Sequence, residues 1–189
     1  MLENCRRNSL EDASCLLKPV DDFALFTGFS CGREDLDDYI RNDAQPHDRE
    51  LLSKTYSFHL KDGGAVSLAV AFVSLANDAI RLANRKKQKI FPAGLQYRSY
   101  PAVKVCRLGT HLEFQRQGIG SYMLWALKCL FLNENRTGCR FVTVDAYNDT
   151  TTLAFYQRND FELLTGDDEG NPTRALFYDL LRFRDQARC

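Results

Sequence analysis

The stretch at residues 115–120 contains the residue types that point most directly to chemistry in this chain of 189 residues. It reads Gln-Arg-Gln-Gly-Ile-Gly and lies between an apolar run at 101–110 and a long amphipathic run at 118–133. A turn that opens a helix leaves backbone N–H groups without partners, and the helix dipole adds positive potential there. Glycine at positions 118 and 120 keeps side chains away from a bound phosphate. The pattern therefore predicts a site for phosphate oxygens.

This turn differs from the two common nucleotide-binding fingerprints. It is not a complete Gly-x-Gly-x-x-Gly sequence, and no Gly-Lys-Ser/Thr is present, which argues against hydrolysis of a nucleoside triphosphate. Taken alone, the turn is equally compatible with a glycine-containing helix start that binds nothing. Its context is more specific, because a second predicted strand follows the long helix and ends in Asp-Ala-Tyr-Asn at 145–148.

The segment Ala-Phe-Tyr-Gln-Arg-Asn-Asp-Phe at 154–161 comes next, and here the chain resembles the GNAT superfamily of N-acyltransferases. The resemblance covers about residues 103–183 and is weaker upstream. The family's Gln/Arg-x-x-Gly-x-Gly/Ala turn and its Asn-helix-Phe-Tyr-x-x-x-Gly-Phe segment match Gln115, Gly118, Gly120, Asn148, Phe155, Tyr156 and Phe161. Asp160 stands where the family usually has glycine, which predicts a strained or differently shaped turn after that helix.

The resemblance implies an enzyme that transfers acetyl from acetyl-CoA, its cosubstrate, to a primary amine without a metal. It implies that backbone amides of the turn hold the CoA pyrophosphate, which assigns binding to Gln115, Arg116, Gln117, Gly118, Ile119, Gly120 and Ser121. It also implies that main-chain groups of Leu108 and Thr110 pair with the pantetheine amides. The Leu108 N–H would then polarise the acetyl carbonyl, a contribution of about 3 kcal/mol.

Tyr156 resembles the family's general acid, the phenol that protonates the departing CoA thiolate. The alternative is that Tyr156 is only a packed aromatic residue on a short helix. Asn148 either hydrogen-bonds pantetheine or caps the helix that follows it. The general base stays open between a water chain and three side chains near the site in sequence, which are His111, Glu113 and Asp145.

The segment Phe-Ser-Cys-Gly-Arg-Glu-Asp-Leu-Asp-Asp-Tyr-Ile at 29–40 resembles the opening of one GNAT branch, which includes toxins that acetylate aminoacyl-tRNA. The alternative is that Cys31 and Gly32 only shape the turn before a helix. Lysine plus arginine equals aspartate plus glutamate at 25 each, whereas tRNA binding usually needs a basic face. One basic cluster, which either contacts phosphates of RNA or of CoA or is merely solvated, consists of Arg81, Arg85, Lys86, Lys87 and Lys89.

Three functions follow from these observations. The preferred one is an N-acetyltransferase acting on a small-molecule or protein amine. The alternatives are a toxin-like acetyltransferase of aminoacyl-tRNA, which implies an antitoxin partner, and a non-catalytic acyl-CoA-binding regulatory module. A tRNA partner is disfavoured but left open, and a homodimer is compatible with the sequence.

Location is predicted from the cysteines and the N-terminus. The seven cysteines form no Cys-x-x-Cys pair, which favours reduced thiols in the cytoplasm. The N-terminus lacks the apolar stretch of a signal peptide. No window approaches the ~20 apolar residues that span a bilayer, so no membrane partner is expected.

Hydrophobic periodicity predicts the elements that position these residues. Strands are predicted at 16–20, 54–60, 65–75, 101–110, 140–146, 161–164 and 174–181, helices at 33–44, 118–133 and 150–158, and a loop or short helix at 84–89. Asp-Gly-Gly at 62–64 predicts a hairpin turn, and Ser30 or Gly32 is predicted to cap the first helix. The order predicts a GNAT-type α/β fold, a mixed and splayed sheet flanked by helices in three layers. Residues 1–15 are predicted to be a disordered N-terminal extension, and residues 16–189 a single acyltransferase domain.

Overall fold

The computed structural model describes residues 5–6, 9–11, 15–62, 65–133 and 137–186. Contacts divide the chain into two compact units, Met1–Ala76 with Val105–Asn135 and Asn77–Lys104 with Arg136–Cys189. Strands β5 (Ala65–Ile80) and β6 (Tyr100–Thr110) contribute to both units, because each division falls inside a strand. The predicted division at residue 15 stays a prediction; strands β1 (Cys5–Arg6) and β2 (Ser9–Glu11) lie before it.

The first unit is built on antiparallel strands. β3 (Cys15–Pro19) pairs with β2 and with β4 (Lys54–Asp62), β4 pairs with β5, and β6 is the next strand after β5. The predicted hairpin of two strands is therefore present, although β5 extends five residues beyond the predicted end at 75. Gly63 and Gly64 of its predicted turn lie outside the described residues.

Helical segments cover both faces of the strands in the first unit. Phe58 of β4 packs against Tyr122 of helix α4 (Ile119–Asn133), with ring centroids 5.5 Å apart. Phe72 follows Ala71, the cross-strand partner of Phe58, and projects to the opposite face because side chains alternate along a strand. On that face the Phe72 ring packs edge-on against Phe26, at 5.9 Å. This part of the chain has the predicted three layers.

The first predicted helix is longer than expected and is interrupted. It consists of α1 (Glu34–Asp38), a π-helical turn (Tyr39–Asp43) and α2 (Ala44–Arg49). Its apolar positions pack in the same core cluster as Phe72. The capping prediction is wrong, because Arg33 occupies the cap position without a side-chain cap bond, while Ser30 donates its hydroxyl to Asp37 instead.

The second unit contains both parallel and antiparallel pairs. β7 (Phe141–Tyr147) pairs antiparallel with β9 (Thr173–Asp179), which pairs antiparallel with β8 (Glu162–Leu163). The other neighbour of β7 is β6. The Pro101 carbonyl accepts from the Arg140 N–H at 3.0 Å, and the Val103 carbonyl accepts from Thr143 Oγ1 at 3.4 Å. Because these contacts advance in the same direction along both strands, β6 and β7 run parallel in a mixed sheet.

The second unit includes the α-helices α3 (Asn84–Ile90), α5 (Thr150–Arg158) and α6 (Leu180–Gln186). α3 settles the open choice at 84–89 as a helix. α6 corrects the last predicted strand, which ends at Asp179 rather than at residue 181. The Asp179 carboxylate accepts from the Leu181 N–H at 3.0 Å and binds the Arg140 guanidinium at 2.7 and 2.8 Å, so it fixes the change from strand to helix. None of the described helices is long and apolar enough to cross a membrane.

Candidate active site

The predicted phosphate-binding turn joins β6 to α4. Arg116 and Gly118 have positive φ angles of 60° and 82°, and a Cβ added at Gly118 would meet no atom within 4 Å. The backbone N–H groups of residues 116–120 make no hydrogen bond within the part of the chain that the structure describes. Five successive uncommitted donors at the start of a 15-residue helix meet the physical requirements for a pyrophosphate site.

Gln115 fixes the start of the turn. Its side-chain Nε2 donates to the Thr110 carbonyl at 3.0 Å and to the Cys31 carbonyl at 2.8 Å. The Gln117 side chain similarly donates to the Glu113 carbonyl at 3.0 Å. The two glutamines therefore use their amides to hold the backbone; Gln115 Nε2 uses both of its N–H donors, and Gln117 Nε2 uses one.

The end of β6 lies very close to the neighbouring strand. A Cβ at Gly109 would stand 2.7 Å from Cε1 of Phe72, so this position requires glycine. The His111 N–H donates to the Val70 carbonyl of β5 at 2.8 Å. Because N–H directions alternate along a strand, the N–H groups of Leu108 and Thr110 point away from β5. That is the direction that the predicted pantetheine contacts require.

The three candidate general bases differ in whether their side chains already make hydrogen bonds or ion pairs within the protein. Nδ1 of His111 accepts a hydrogen bond from the Glu113 N–H at 3.4 Å, so the lone pair of this nitrogen is already engaged. Asp145 is ion-paired with Lys104 at 2.5 Å. The exposed Glu113 carboxylate makes no hydrogen bond or ion pair with any described residue. Of the three, Glu113 has the side chain that is available.

The segment at 29–33 packs on the turn and is held by Asp37. The Leu112 N–H donates to the Ser30 carbonyl at 2.9 Å, and a Cβ at Gly32, where φ is 79°, would stand 3.0 Å from Leu112 Cδ2. The buried Asp37 carboxylate accepts from Ser30 Oγ and the Cys31 N–H, both at 2.7 Å. Burial alone would raise the pKa of Asp37, but these hydrogen bonds together lower it. Cys31 and Gly32 therefore have a structural part in shaping this turn.

Cys31 is unsuited to nucleophilic chemistry. Burial, reinforced by the hydrogen bond to Asp37, raises the pKa of the Cys31 thiol to about 11. The thiol is therefore protonated at neutral pH, and only a thiolate is an effective nucleophile. The cysteines whose side chains the structure describes are all free thiols. No group of three or more metal-ligating side chains occurs among the described residues.

Tyr156 on α5 is buried, with 6% of its surface exposed, and packs edge-on between the rings of Phe155 and Phe161 at 5.0 and 5.5 Å. Its hydroxyl makes no hydrogen bond with any described residue, whereas buried tyrosine hydroxyls usually find a partner. Burial, with a smaller contribution from Tyr147, raises the pKa of Tyr156 well above its ordinary value. The phenol thus stays protonated and is not committed to a protein acceptor, which suits a general acid.

Asn148 does not cap α5, so that alternative is wrong. Asp149 is the cap, because its carboxylate accepts from the N–H and the hydroxyl of Thr152, both at 2.8 Å. Asn148 Nδ2 instead donates to the carbonyls of Glu169 and Asn171, each at 2.8 Å, and so holds the loop before β9. Its Oδ1 has no partner among the described residues and is available as a hydrogen-bond acceptor, which the predicted pantetheine contact requires.

Sequence reasoning did not predict Asp149 and Asp37, two aspartates that hold segments carrying the predicted site residues. Asp149 could have been found, since an aspartate directly before a predicted helix is a common cap. Asp37 gave no local signal, because its side chain reaches back six residues to Cys31 through a turn that only the folded chain defines.

Asp160 occupies the left-handed position after α5, with a φ of 67°. The Phe161 N–H bonds to the Tyr156 carbonyl at 3.1 Å and the Asp160 N–H to the Gln157 carbonyl at 3.0 Å, which is the Schellman arrangement at a helix C-terminus. Glycine adopts this conformation without a Cβ penalty. The strained turn predicted from the departure at this position is therefore present.

We expect Asp160→Gly to raise the free energy of unfolding by about 0.5–1 kcal/mol, because it removes the left-handed strain. Urea unfolding followed by circular dichroism measures the difference. Asp160→Ala is the matched control, since it removes the carboxylate but keeps the Cβ and should give no gain. Equal stabilisation by both substitutions would attribute the effect to charge rather than to the backbone.

The basic cluster is smaller in the structure than in the sequence. Lys86 Nζ donates to the carbonyls of Leu163 and Leu164 and lies 4.8 Å from the centroid of the Phe177 ring, so it supports β8. Arg81, Arg85 and Lys89 are exposed. They are available to an anion, but the cluster has one cation fewer than the sequence suggests.

Comparisons with known proteins bear on the family and the fold. Residues 70–163 match the family model described as Acetyltransferase (GNAT) domain. No curated protein sequence matches the chain. Similar solved structures include a tyrosine-to-phenylalanine variant of KacT, with a TM-score of 0.74 and 20% identity over 92% of this chain and 99% of that chain. AtaT complexed with acetyl-methionyl-tRNAfMet has a TM-score of 0.72 and 21% identity, and the match covers 92% of this chain and 99% of that chain. AtaTR bound with acetyl-CoA has a TM-score of 0.68 and 18% identity, and the match covers 93% of this chain and 99% of that chain. At these identities the structural likeness establishes the fold, and it confirms the predicted GNAT-type architecture.

Proposed function

Because residues 70–163 match the Acetyltransferase (GNAT) domain model, we propose that the chain is an acetyl-CoA-dependent N-acetyltransferase in which a primary amine attacks the thioester directly, with Tyr156 as the general acid. The observation that carries the proposal is the run of uncommitted backbone donors at residues 116–120. These donors give the turn a function, which is to bind a diphosphate.

The residues of the turn fit acetyl-CoA. In the proposal, the amides of residues 116–120 and the adjacent Ser121 bind the pyrophosphate, and Gln115 contributes by bracing the turn. Leu108 and Thr110 offer N–H groups to the pantetheine arm and the acetyl carbonyl, and Asn148 offers Oδ1. The Leu108 N–H then stabilises the oxyanion and lowers the activation free energy by about 3 kcal/mol.

The proposed reaction is a single acyl transfer. The amine nitrogen forms a bond to the carbonyl carbon, the carbon–sulfur bond breaks, and the sulfur takes the phenolic proton of Tyr156. The proton lost by the amine passes to water or to the uncommitted Glu113 carboxylate. The products are an amide and free CoA, and the phenol is restored by proton exchange.

A second candidate acceptor is the amino group of aminoacyl-tRNA. It is favoured by the segment at 29–40 and by the likeness to AtaT, which was solved with acetyl-methionyl-tRNAfMet. An antitoxin would then be a further partner. The balanced charge of the chain and the structural use of Lys86 count against a broad RNA surface.

Transfer of radiolabelled acetyl tests both candidates. The purified chain is incubated with labelled acetyl-CoA and, in parallel, with small amines, a lysine peptide and methionyl-tRNA. Label in a small amine or the peptide supports the first acceptor class. Label in methionyl-tRNA, with filter binding that weakens steeply as salt rises, selects the second. Acetyl-CoA binding without transfer to any of them would contradict the proposed activity.

A further inference from the structure

Arg107 is an exposed cation in β6, directly before the strand position whose N–H is proposed to polarise the acetyl group. A guanidinium has five N–H donors. The structure gives one hydrogen bond to this side chain, from Nη1 to the Cys106 carbonyl at 2.8 Å, and no ion pair with a described residue. Arg140, Arg174 and Arg182, in contrast, are each bound to a carboxylate. Arg107 therefore retains most of its donors for a ligand.

The guanidinium of Arg107 is held in place by an aromatic ring. Its Cζ lies 5.2 Å from the centroid of Tyr39, the first residue of the π-helical turn. The Tyr39 hydroxyl is within 3.1 Å of Ser53 Oγ, and the His47 ring packs edge-on against Tyr39 at 5.5 Å. A fixed ring beneath a guanidinium restrains its plane while leaving its edge available for two parallel hydrogen bonds.

The face of the strand on which Arg107 lies separates it from the pyrophosphate turn. Side chains two residues apart share a face, so Arg107 projects on the side where Gly109 meets Phe72. That side carries the π-helical turn, and Phe58 and Tyr122 place α4 on the other. Arg107 is therefore on the face opposite the helix whose start is proposed to bind CoA.

We propose that Arg107 binds an oxyanion of the acceptor, a phosphate or a carboxylate close to the reacting amine, and so selects anionic amines. The inference rests on the proposed function, since it assigns the acceptor to the face of β6 opposite α4. A guanidinium and an oxyanion form paired charge-assisted hydrogen bonds, which lysine cannot reproduce in that geometry. A small amino acid or a phosphorylated amine supplies this chemistry. An aminoacylated RNA supplies it too, through the phosphodiester next to its 3′ end.

The test compares matched acceptors. The specificity constant kcat/KM is measured for O-phosphoethanolamine against ethanolamine, for glycine against glycinamide, and for methionyl-tRNA. The variants are Arg107→Met, which keeps the stem, Arg107→Lys, which keeps the charge, and Arg98→Met, an exposed arginine outside the first unit. Acetyl-CoA affinity and thermal unfolding are followed for each variant.

We expect wild type and Arg98→Met to prefer the anionic member of at least one pair, and Arg107→Met to lose about ten- to a hundredfold in kcat/KM for that member alone. Arg107→Lys should restore only part of the loss. The pair that responds identifies phosphate or carboxylate, and a loss confined to methionyl-tRNA identifies the RNA source. No preference in wild type for either anion or for methionyl-tRNA, or equal losses for charged and neutral amines, would overturn the inference.

A binding measurement separates this inference from the proposed function. Inorganic phosphate is titrated into the CoA-saturated protein while the arginine Nε–H signals are followed by nuclear magnetic resonance. A shift of the Arg107 signal without acetylation of any amine would leave the anion site standing and contradict the proposed activity. Acetylation with an unmoved Arg107 signal and unchanged selectivity in Arg107→Met would do the reverse.

Discussion

Tyr156→Phe is expected to lower kcat by about 10²–10³-fold while acetyl-CoA affinity stays nearly unchanged. The substitution keeps the ring between Phe155 and Phe161 and removes a hydroxyl that has no hydrogen-bond partner among the described residues. Stability should therefore change little. The loss belongs to the chemical step, because the CoA sulfur must then leave without a proton.

The pH dependence gives a second readout of the same prediction. Burial raises the pKa of Tyr156, so the acid form persists to higher pH than in free tyrosine. The wild-type kcat should therefore show no fall near pH ~10 that is due to this group. An alkaline fall near that pH that disappears in Tyr156→Phe would contradict the buried environment.

Tyr100→Phe is the matched control for Tyr156→Phe. The Tyr100 hydroxyl accepts from the Tyr97 N–H and donates to the Leu95 carbonyl, both at 3.0 Å, so its loss should lower stability and leave kcat unchanged. The measurement is CoA release with any acceptor found by the transfer assay. Wild-type turnover in Tyr156→Phe would show that Tyr156 is a packing residue and that water or the acceptor supplies the proton.

Gly120→Asp is expected to weaken acetyl-CoA binding by at least about a hundredfold. Position 120 is the second residue of α4, and the new carboxylate would fill space and repel the pyrophosphate at the proposed site. Gly118 is a poorer choice, because its φ of 82° would strain any other residue. Calorimetric titration with CoA measures the change, and circular dichroism verifies that the variant folds.

Gly94→Asp adds the same charge where a new Cβ meets nothing within 4 Å and should bind CoA like the wild type. Comparable weakening in both variants would indicate a general charge effect. Unchanged affinity in a folded Gly120→Asp protein would place the pyrophosphate elsewhere and remove the main support for the proposed function.

The sequence was most informative where chemistry depends on backbone and local pattern. The glycines of the phosphate turn and the long helix after it follow from residue spacing, because such short segments obey local rules of turns and helices. Tyr156 of α5, in contrast, was singled out by the resemblance to the GNAT superfamily. The departure at Asp160 likewise predicted a strained turn, since the left-handed position has few alternatives to glycine. Predicted helices and strands failed mainly at their ends: β9 gave way to α6 at Asp179, whose ion-pair partner Arg140 is distant in sequence.

By itself, the sequence provided the resemblance to the GNAT superfamily, the mixed α/β order and the segments that bear the proposed chemistry. Only the tertiary structure decided which side chains are already bound to other protein groups. The amide of Asn148 binds two loop carbonyls, and Lys86 binds a carbonyl of β8. Among the described residues, Tyr156 has no hydrogen-bond partner for its hydroxyl and Arg107 has no acid. The physical reason is that availability for chemistry depends on long-range hydrogen bonds and burial, which residue spacing along the chain does not encode.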